Sequence, residues 1–166
     1  MEMNRNKIFK PLINQTITKL ERLTVLDNED NIDDSEALSD TLFLSLSNGT
    51  CFEILVTSEN TVLKEITNKE DLLVSFSLED DEKIDFLPIY EKINVPFTIA
   101  SVTETWADKS NPLLVAVDFL DLNKQSLLSI LTETDEIDIL KSEKIKIIVQ
   151  RMVFAYGSIY HKWYDS

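Results

Sequence analysis

Residues 41–56 read TLFLSLSNGTCFEILV and predict a β-hairpin. Leu42, Leu44 and Leu46 occupy alternate positions before the pair Asn48-Gly49, and large apolar side chains return at positions 52, 54 and 56. Alternation places every second side chain on one face of a strand, and Asn-Gly favours a two-residue primed turn. The hairpin is therefore predicted to present one apolar face to a core.

Other segments carry the same strand pattern. Thr16–Leu26 and Phe97–Trp106 are rich in β-branched residues at alternate positions. Leu113–Leu120 and Leu127–Leu131 predict a second hairpin, joined near Asp121–Gln125. The chain is therefore predicted to be mostly β, built of antiparallel, hairpin-rich sheets, with an α+β fold as the alternative.

The segment near the C-terminus fits two structures. Lys144–Val149 alternates lysine with isoleucine and then enters the apolar run Met152–Tyr156, which favours a strand. A helix over Ser142–Met152 accommodates the same residues, so both alternatives stay open. Short helical turns are also expected within Asp34–Asp40 and Lys69–Val74.

Two halves of the chain carry similar segments in the same order. The corresponding segments are Ile13–Thr18 with Ile93–Thr98, Leu42–Ile54 with Val115–Ile130, Val62–Ile66 with Ile137–Lys141, and Ile89–Lys92 with Ile159–Lys162. This similarity predicts a first β-unit over residues 1–92, with an acidic loop at 27–40, and a second over residues 93–166. The two units would pack pseudo-symmetrically around one core as a single compact domain, unless the similarity arises by chance from a biased composition.

The chain is strongly acidic. Thirty Asp and Glu residues stand against 16 Lys and Arg residues, which gives a net charge of −14 over 166 residues. That charge disfavours contact with nucleic acid or with an anionic membrane, because like charges repel. A basic protein would be attracted instead.

Residues that support catalysis are scarce. The two glycines, Gly49 and Gly157, cannot form a dinucleotide fingerprint or a Walker loop. Cys51 and His161 are the single cysteine and the single histidine, so an intrachain disulfide and a Cys/His zinc site are excluded. His161 lies near the C-terminus, and chain ends are commonly mobile. We therefore expect it to be poorly positioned as the general base for a nucleophile. We therefore expect no enzyme, although a carboxylate-dependent enzyme stays an alternative.

Calcium binding and secretion are also disfavoured. An EF-hand frame that starts at Asp27 places Ile32 at the turn glycine and Leu38 at the bidentate glutamate. Met1–Ile13 lacks the apolar core of a secretory signal. We expect a cytoplasmic protein without cofactor or dedicated metal.

Acidic residues concentrate in three stretches. The first two are predicted to bind a partner and comprise Asp27, Glu29, Asp30, Asp33, Asp34, Glu36 and Asp40, followed by Glu79, Asp80, Asp81 and Glu82. The third comprises Glu133, Asp135, Glu136 and Asp138. Trp106 and Trp163 are candidate aromatic anchors on the partner-facing surface.

In its size and acidity the chain resembles bacterial toxin-immunity proteins as a class, without a shared motif. The resemblance implies an inhibitor that binds a basic toxin domain, since nuclease toxins carry positive charge to grip phosphates. A DNA-mimicking inhibitor is a variant of this hypothesis. The alternative is a structural or adaptor protein that self-associates or scaffolds an assembly.

Overall fold

The computed structural model describes residues 7–27, 38–57, 60–67, 82–108, 111–133 and 135–166. The first sheet contains β1 (Thr16–Asp27), β2 (Thr41–Leu46), β3 (Cys51–Val56), β4 (Thr61–Ile66) and β5 (Glu82–Pro88). These strands are antiparallel and lie in the order β4-β3-β2-β1-β5. A short strand, β6 (Phe97–Thr98), pairs with the start of β1.

The second sheet follows along the chain. It contains β7 (Ser101–Ala107), β8 (Leu113–Leu120), β9 (Ser126–Leu131), β10 (Asp138–Ile139) and β11 (Ile159–Tyr164). Their order is β10-β9-β8-β7-β11, again with antiparallel pairing. The helix α1 (Ser142–Tyr156) lies between β10 and β11 in the chain, and a 3-10 turn at Lys10–Leu12 precedes β1. The prediction of a mostly β protein with antiparallel sheets is confirmed.

The two sheets share one strand order. In each, four consecutive strands form a meander, and a fifth strand returns to pair with the first. The similarity in sequence aligns Ile17 with Phe97, and these two residues face each other in the β1–β6 pair. The correspondence of Ile89–Lys92 with Ile159–Lys162 does not hold, because residues 89–92 follow β5 whereas residues 159–162 lie in β11. A common origin of the two halves stays a prediction.

The inner faces of the sheets share one core. All the alternating residues of the first hairpin are buried in it, from Leu42, Leu44 and Leu46 on β2 to Ile54 on β3. Val117 and Phe119 of β8 belong to the same core, and the ring of Phe119 meets Phe9 edge-on at 5.3 Å between centroids. Burial of these apolar side chains removes their surface from water, which is the main favourable term in folding. The predicted apolar face of the hairpin is confirmed.

The turn of the first hairpin is longer than predicted. The N–H of Gly49 donates to the carbonyl of Leu46 at 3.0 Å, and the N–H of Leu46 donates to Thr50 at 2.8 Å. Gly49 has a positive φ of 89°, whereas Asn48 does not share this left-handed conformation. A two-residue primed turn needs positive φ at both central residues, so that part of the prediction is wrong. The Asn48 side chain instead accepts from the N–H of Thr50.

The segment that fitted two structures is a helix. Ile145, Val149 and Met152 are buried on one face of α1 and pack on the outer face of the second sheet. Their spacing of four and three residues matches the helical period, which the lysine–isoleucine alternation obscured. The strand prediction for Lys144–Val149 is wrong, and the helix alternative is confirmed.

The predicted strand over Phe97–Trp106 is interrupted at Ile99 and Ala100. There the chain leaves the first sheet as β6 and enters the second as β7. The second predicted hairpin is confirmed by β8 and β9. Of the helical turns expected within Asp34–Asp40 and Lys69–Val74, residues 34–37 and 69–74 lie outside the described residues.

Candidate functional site

The register of β1 and β5 joins the first two acidic stretches. Asp27, the last residue of β1, is the partner of Glu82, the first residue of β5. Because the strands are antiparallel, the chain leaves β1 and enters β5 at the same end of the sheet. Only the backbone of Asp27 and Glu82 is described. The predicted contact residues that lie outside the described residues are Glu29, Asp30, Asp33, Asp34, Glu36, Glu79, Asp80 and Asp81.

The third acidic stretch reaches the end of the first. The N–H of Ile137 donates to the carbonyl of Ser39 at 2.6 Å. The guanidinium of Arg22 on β1 donates to the carbonyls of Ile137 and Ser39, and to that of Thr41. One arginine therefore holds β1, the start of β2 and the approach to β10 together. Asp40 and the third stretch are neighbours for this reason.

We call this region the acidic end. Its described members are Asp40, Glu133, Asp135, Glu136 and Asp138. Asp135 and Glu136 are exposed, whereas the other members are partly buried. Carboxylates from chain segments far apart in sequence add to the negative potential over one part of the surface.

The charge of Asp40 is felt by a neighbouring carboxyl group. Glu53 on β3 is buried, and this burial raises the pKa of its carboxyl group. The opposing charge of Lys64, its partner on β4, lowers that pKa, and the charge of Asp40 raises it further. The negative charge of Asp40 therefore acts on a carboxyl group of β3.

The C-terminal end of α1 also meets the acidic end. The hydroxyl of Tyr156 donates to Oε1 of Glu133 at 2.7 Å, and this bond raises the pKa of the Tyr156 hydroxyl. Two residues earlier, Phe154 is 93% exposed, and Val153 is exposed beside it. This exposed phenyl ring was not among the predicted contact residues, because Phe154 belongs to an apolar run that predicted burial.

Trp106 is not a surface anchor. Its side chain is 6% exposed and lies in the core. Its indole N–H donates to Oε1 of Glu104 at 3.1 Å, and the hydroxyl of Tyr164 donates to the other oxygen at 2.6 Å. Burial raises the pKa of the Tyr164 hydroxyl, and the hydrogen bond to Glu104 and the charge of Glu104 raise it further. The prediction for Trp106 is corrected because its indole completes a buried hydrogen-bond network.

Trp163 is half-exposed but lies away from the acidic end. It is 48% exposed on β11, and the ammonium of Lys124 stands 4.6 Å from the centre of its ring. β11 and β10 occupy opposite edges of the second sheet. The structure therefore does not bring Trp163 to the acidic end.

Cys51 and His161 lie on different sheets. Cys51 belongs to the outer cluster of the first sheet with Phe43 and Leu23, and His161 is on β11 of the second sheet. Nδ1 of His161 is hydrogen-bonded to the hydroxyl of Thr105 at 2.8 Å. The core between the sheets separates the two groups, so they cannot form a nucleophile and base.

Within the described ranges, no three His, Cys, Asp or Glu side chains converge as metal ligands. No helix in that part of the chain has the length and apolarity needed to cross a membrane. In comparisons with protein families, curated proteins and solved structures, nothing matches this chain.

Proposed function

We propose that this protein is a non-catalytic inhibitor that binds a basic toxin domain through its acidic end, as an immunity protein or antitoxin does. Two contacts carry the proposal, one between the first and second acidic stretches and one between the first and third. Asp27 pairs with Glu82, and Ile137 bonds to Ser39. The remaining predicted contact residues, outside the described ranges, follow Asp27 or precede Glu82 in the chain.

Electrostatics explains why such a surface suits an inhibitor. A net charge of −14 attracts a cationic partner over a long range, and a local concentration of carboxylates orients the encounter. Nuclease toxins are cationic because they bind phosphates, so covering that surface blocks their substrate. Phe154, exposed near the C-terminal end of α1, offers an apolar contact that can persist when salt screens the charges.

A rescue experiment tests the proposal. A basic toxin domain, sought first among the products of the neighbouring genes, is expressed in a sensitive bacterial host, with or without this chain. We expect growth to be restored by the natural chain and impaired by the double variant Asp135→Asn, Glu136→Gln. The double variant Glu65→Gln, Asp165→Asn makes the same charge change at exposed positions on β4 and after β11, so it should still rescue.

Binding kinetics distinguish a loss of electrostatic attraction from a loss of folded protein. Association of the purified proteins should slow about tenfold in the acidic-end variant and should depend less steeply on salt. Equal rescue by both double variants would contradict a role for the acidic end. Failure of the natural chain to rescue or bind would contradict the inhibitor proposal itself.

The adaptor alternative predicts a different outcome. A scaffold that self-associates should form a stable homo-oligomer in size-exclusion chromatography with light scattering. An inhibitor should instead form a stoichiometric complex with the toxin domain. A stable homo-oligomer without a toxin complex would favour the adaptor.

A further inference from the structure

A cavity of about 210 Å³ lies on the outer face of the second sheet, beside α1. Ala116 of β8 lines it together with Ile145 and Val149 of α1, which makes part of its wall apolar. Asp118, Lys146 and His161 line it as well. The chain's single histidine, a lysine and a carboxylate thus meet around one apolar hollow.

Small side chains leave this hollow open. α1 packs with Ile145, Val149 and Met152 over part of the sheet. Across the neighbouring part, the cross-strand partners His161, Thr105 and Ala116 follow one another from β11 to β8. Threonine and alanine do not fill the space that a larger side chain would occupy next to the helix.

The carboxylate of Asp118 is already engaged by the protein. Oδ1 accepts hydrogen bonds from the hydroxyls of Ser126 and Ser129 at 2.6 and 2.7 Å. Oδ2 accepts from the hydroxyl of Ser142, the first residue of α1, at 3.2 Å. Three donors of the protein already occupy this carboxylate, which leaves it little capacity for a cationic ligand.

The basic groups are better placed to meet a ligand. The hydrogen bond between Thr105 and Nδ1 fixes the ring of His161 and leaves Nε2 as the nitrogen that a ligand can approach. Lys146 is exposed on α1 and carries three donors with no acceptor. Gln150, one helical turn further on, adds an amide to the same lining. The polar groups left to meet a ligand are therefore mainly donors, and Lys146 supplies a positive charge.

We propose that this cavity binds a small organic monocarboxylate with a compact apolar tail. The carboxylate is held by Lys146 and His161, and the tail lies against Ala116, Ile145 and Val149. The volume is below the roughly 300–1,000 Å³ of pockets that hold drug-sized ligands, so a single ring or a short chain is the expected size. This site is independent of the acidic end and of the toxin partner.

Three probes of similar shape test the proposal, namely benzoate, benzyl alcohol and benzylamine. Each is titrated into the natural protein and followed by backbone amide shifts in NMR. We expect benzoate to bind at about millimolar concentration and to shift the amides of α1 and β11 around the cavity. The neutral alcohol should bind about tenfold more weakly, and the amine should bind least.

Matched variants distinguish a built site from general attraction. Lys146→Gln should weaken benzoate binding about tenfold, and Lys146→Arg should retain it. Lys144→Gln makes the same charge change on the same helix, outside the cavity lining, and should leave binding unchanged. Both positions are exposed, so the variants are expected to fold. Equal shifts with all three probes, stronger binding of the amine, or equal loss in the Lys144 and Lys146 variants would overturn the proposal.

Discussion

The protein uses its carboxylates in two ways, which a comparison of the acidic end with the core around Glu104 makes clear. At the acidic end, Asp135 and Glu136 face water. In the core, Glu104 is fully buried and accepts from the indole of Trp106 and the hydroxyl of Tyr164. Water supplies the hydrogen bonds of the exposed carboxylates, whereas donors of the protein supply those of Glu104. Carboxylates can therefore contact a partner only where they are not already hydrogen-bonded in the core.

The sharpest way to break this comparison is to remove the buried carboxylate. Glu104→Ala leaves the Trp106 indole and the Tyr164 hydroxyl without their acceptor and should cost about 3 kcal/mol of unfolding free energy. Urea denaturation measures the change. Asp165→Ala, at an exposed position, is the control and should have little effect. A Glu104 variant as stable as the natural chain would show that the network is not needed for folding.

A smaller loss is expected at Asp118. Asp118→Ala removes the acceptor for Ser126, Ser129 and Ser142 and should cost about 2 kcal/mol, since these hydroxyls can turn partly to water. Hydrogen exchange should accelerate at the first turn of α1, because Ser142 loses its tie to the sheet. Unchanged exchange there would mean that apolar packing alone fixes the helix start.

Glu53 combines features of the buried and the exposed carboxylates. It is buried, yet the charge of Asp40 at the acidic end affects its pKa. Its pKa is raised in the folded protein, so its contribution to stability is complete below the unfolded pKa of about 4.3 and is lost as pH rises through the folded value. Glu53→Gln should flatten this fall in unfolding free energy. Denaturation of both proteins across that pH range measures it. If the unfolding free energies of the two proteins change with pH in parallel, Glu53 does not titrate in this pH range.

The smallest effect on stability is expected at the acidic end. Asp135→Asn with Glu136→Gln should change the unfolding free energy by less than about 0.5 kcal/mol, because both side chains are exposed. Asp135 has a positive φ of 60°, a conformation that asparagine also adopts readily. A larger loss in the denaturation midpoint would show that these carboxylates support the fold and would weaken their use as a recognition surface.

Part of the candidate site could be predicted and part could not. The first two acidic stretches are visible as clusters of Asp and Glu, and their joining follows from one strand register, Asp27 with Glu82. No local pattern predicted that the third stretch would meet the first. It meets Ser39 through Ile137, a contact between segments far apart in sequence. Trp106 was expected on the surface because no local pattern shows that Glu104 and Tyr164 would enclose it.

The sequence by itself determined the hairpins, because alternation and turn residues act over a few neighbouring positions. It also determined the excess of negative charge. Tertiary structure alone decided that Ser142–Tyr156 is a helix, since Ile145, Val149 and Met152 gain a sheet face to pack against only in the folded chain. It likewise decided which carboxylates are exposed, because burial depends on packing between distant segments and not on local pattern.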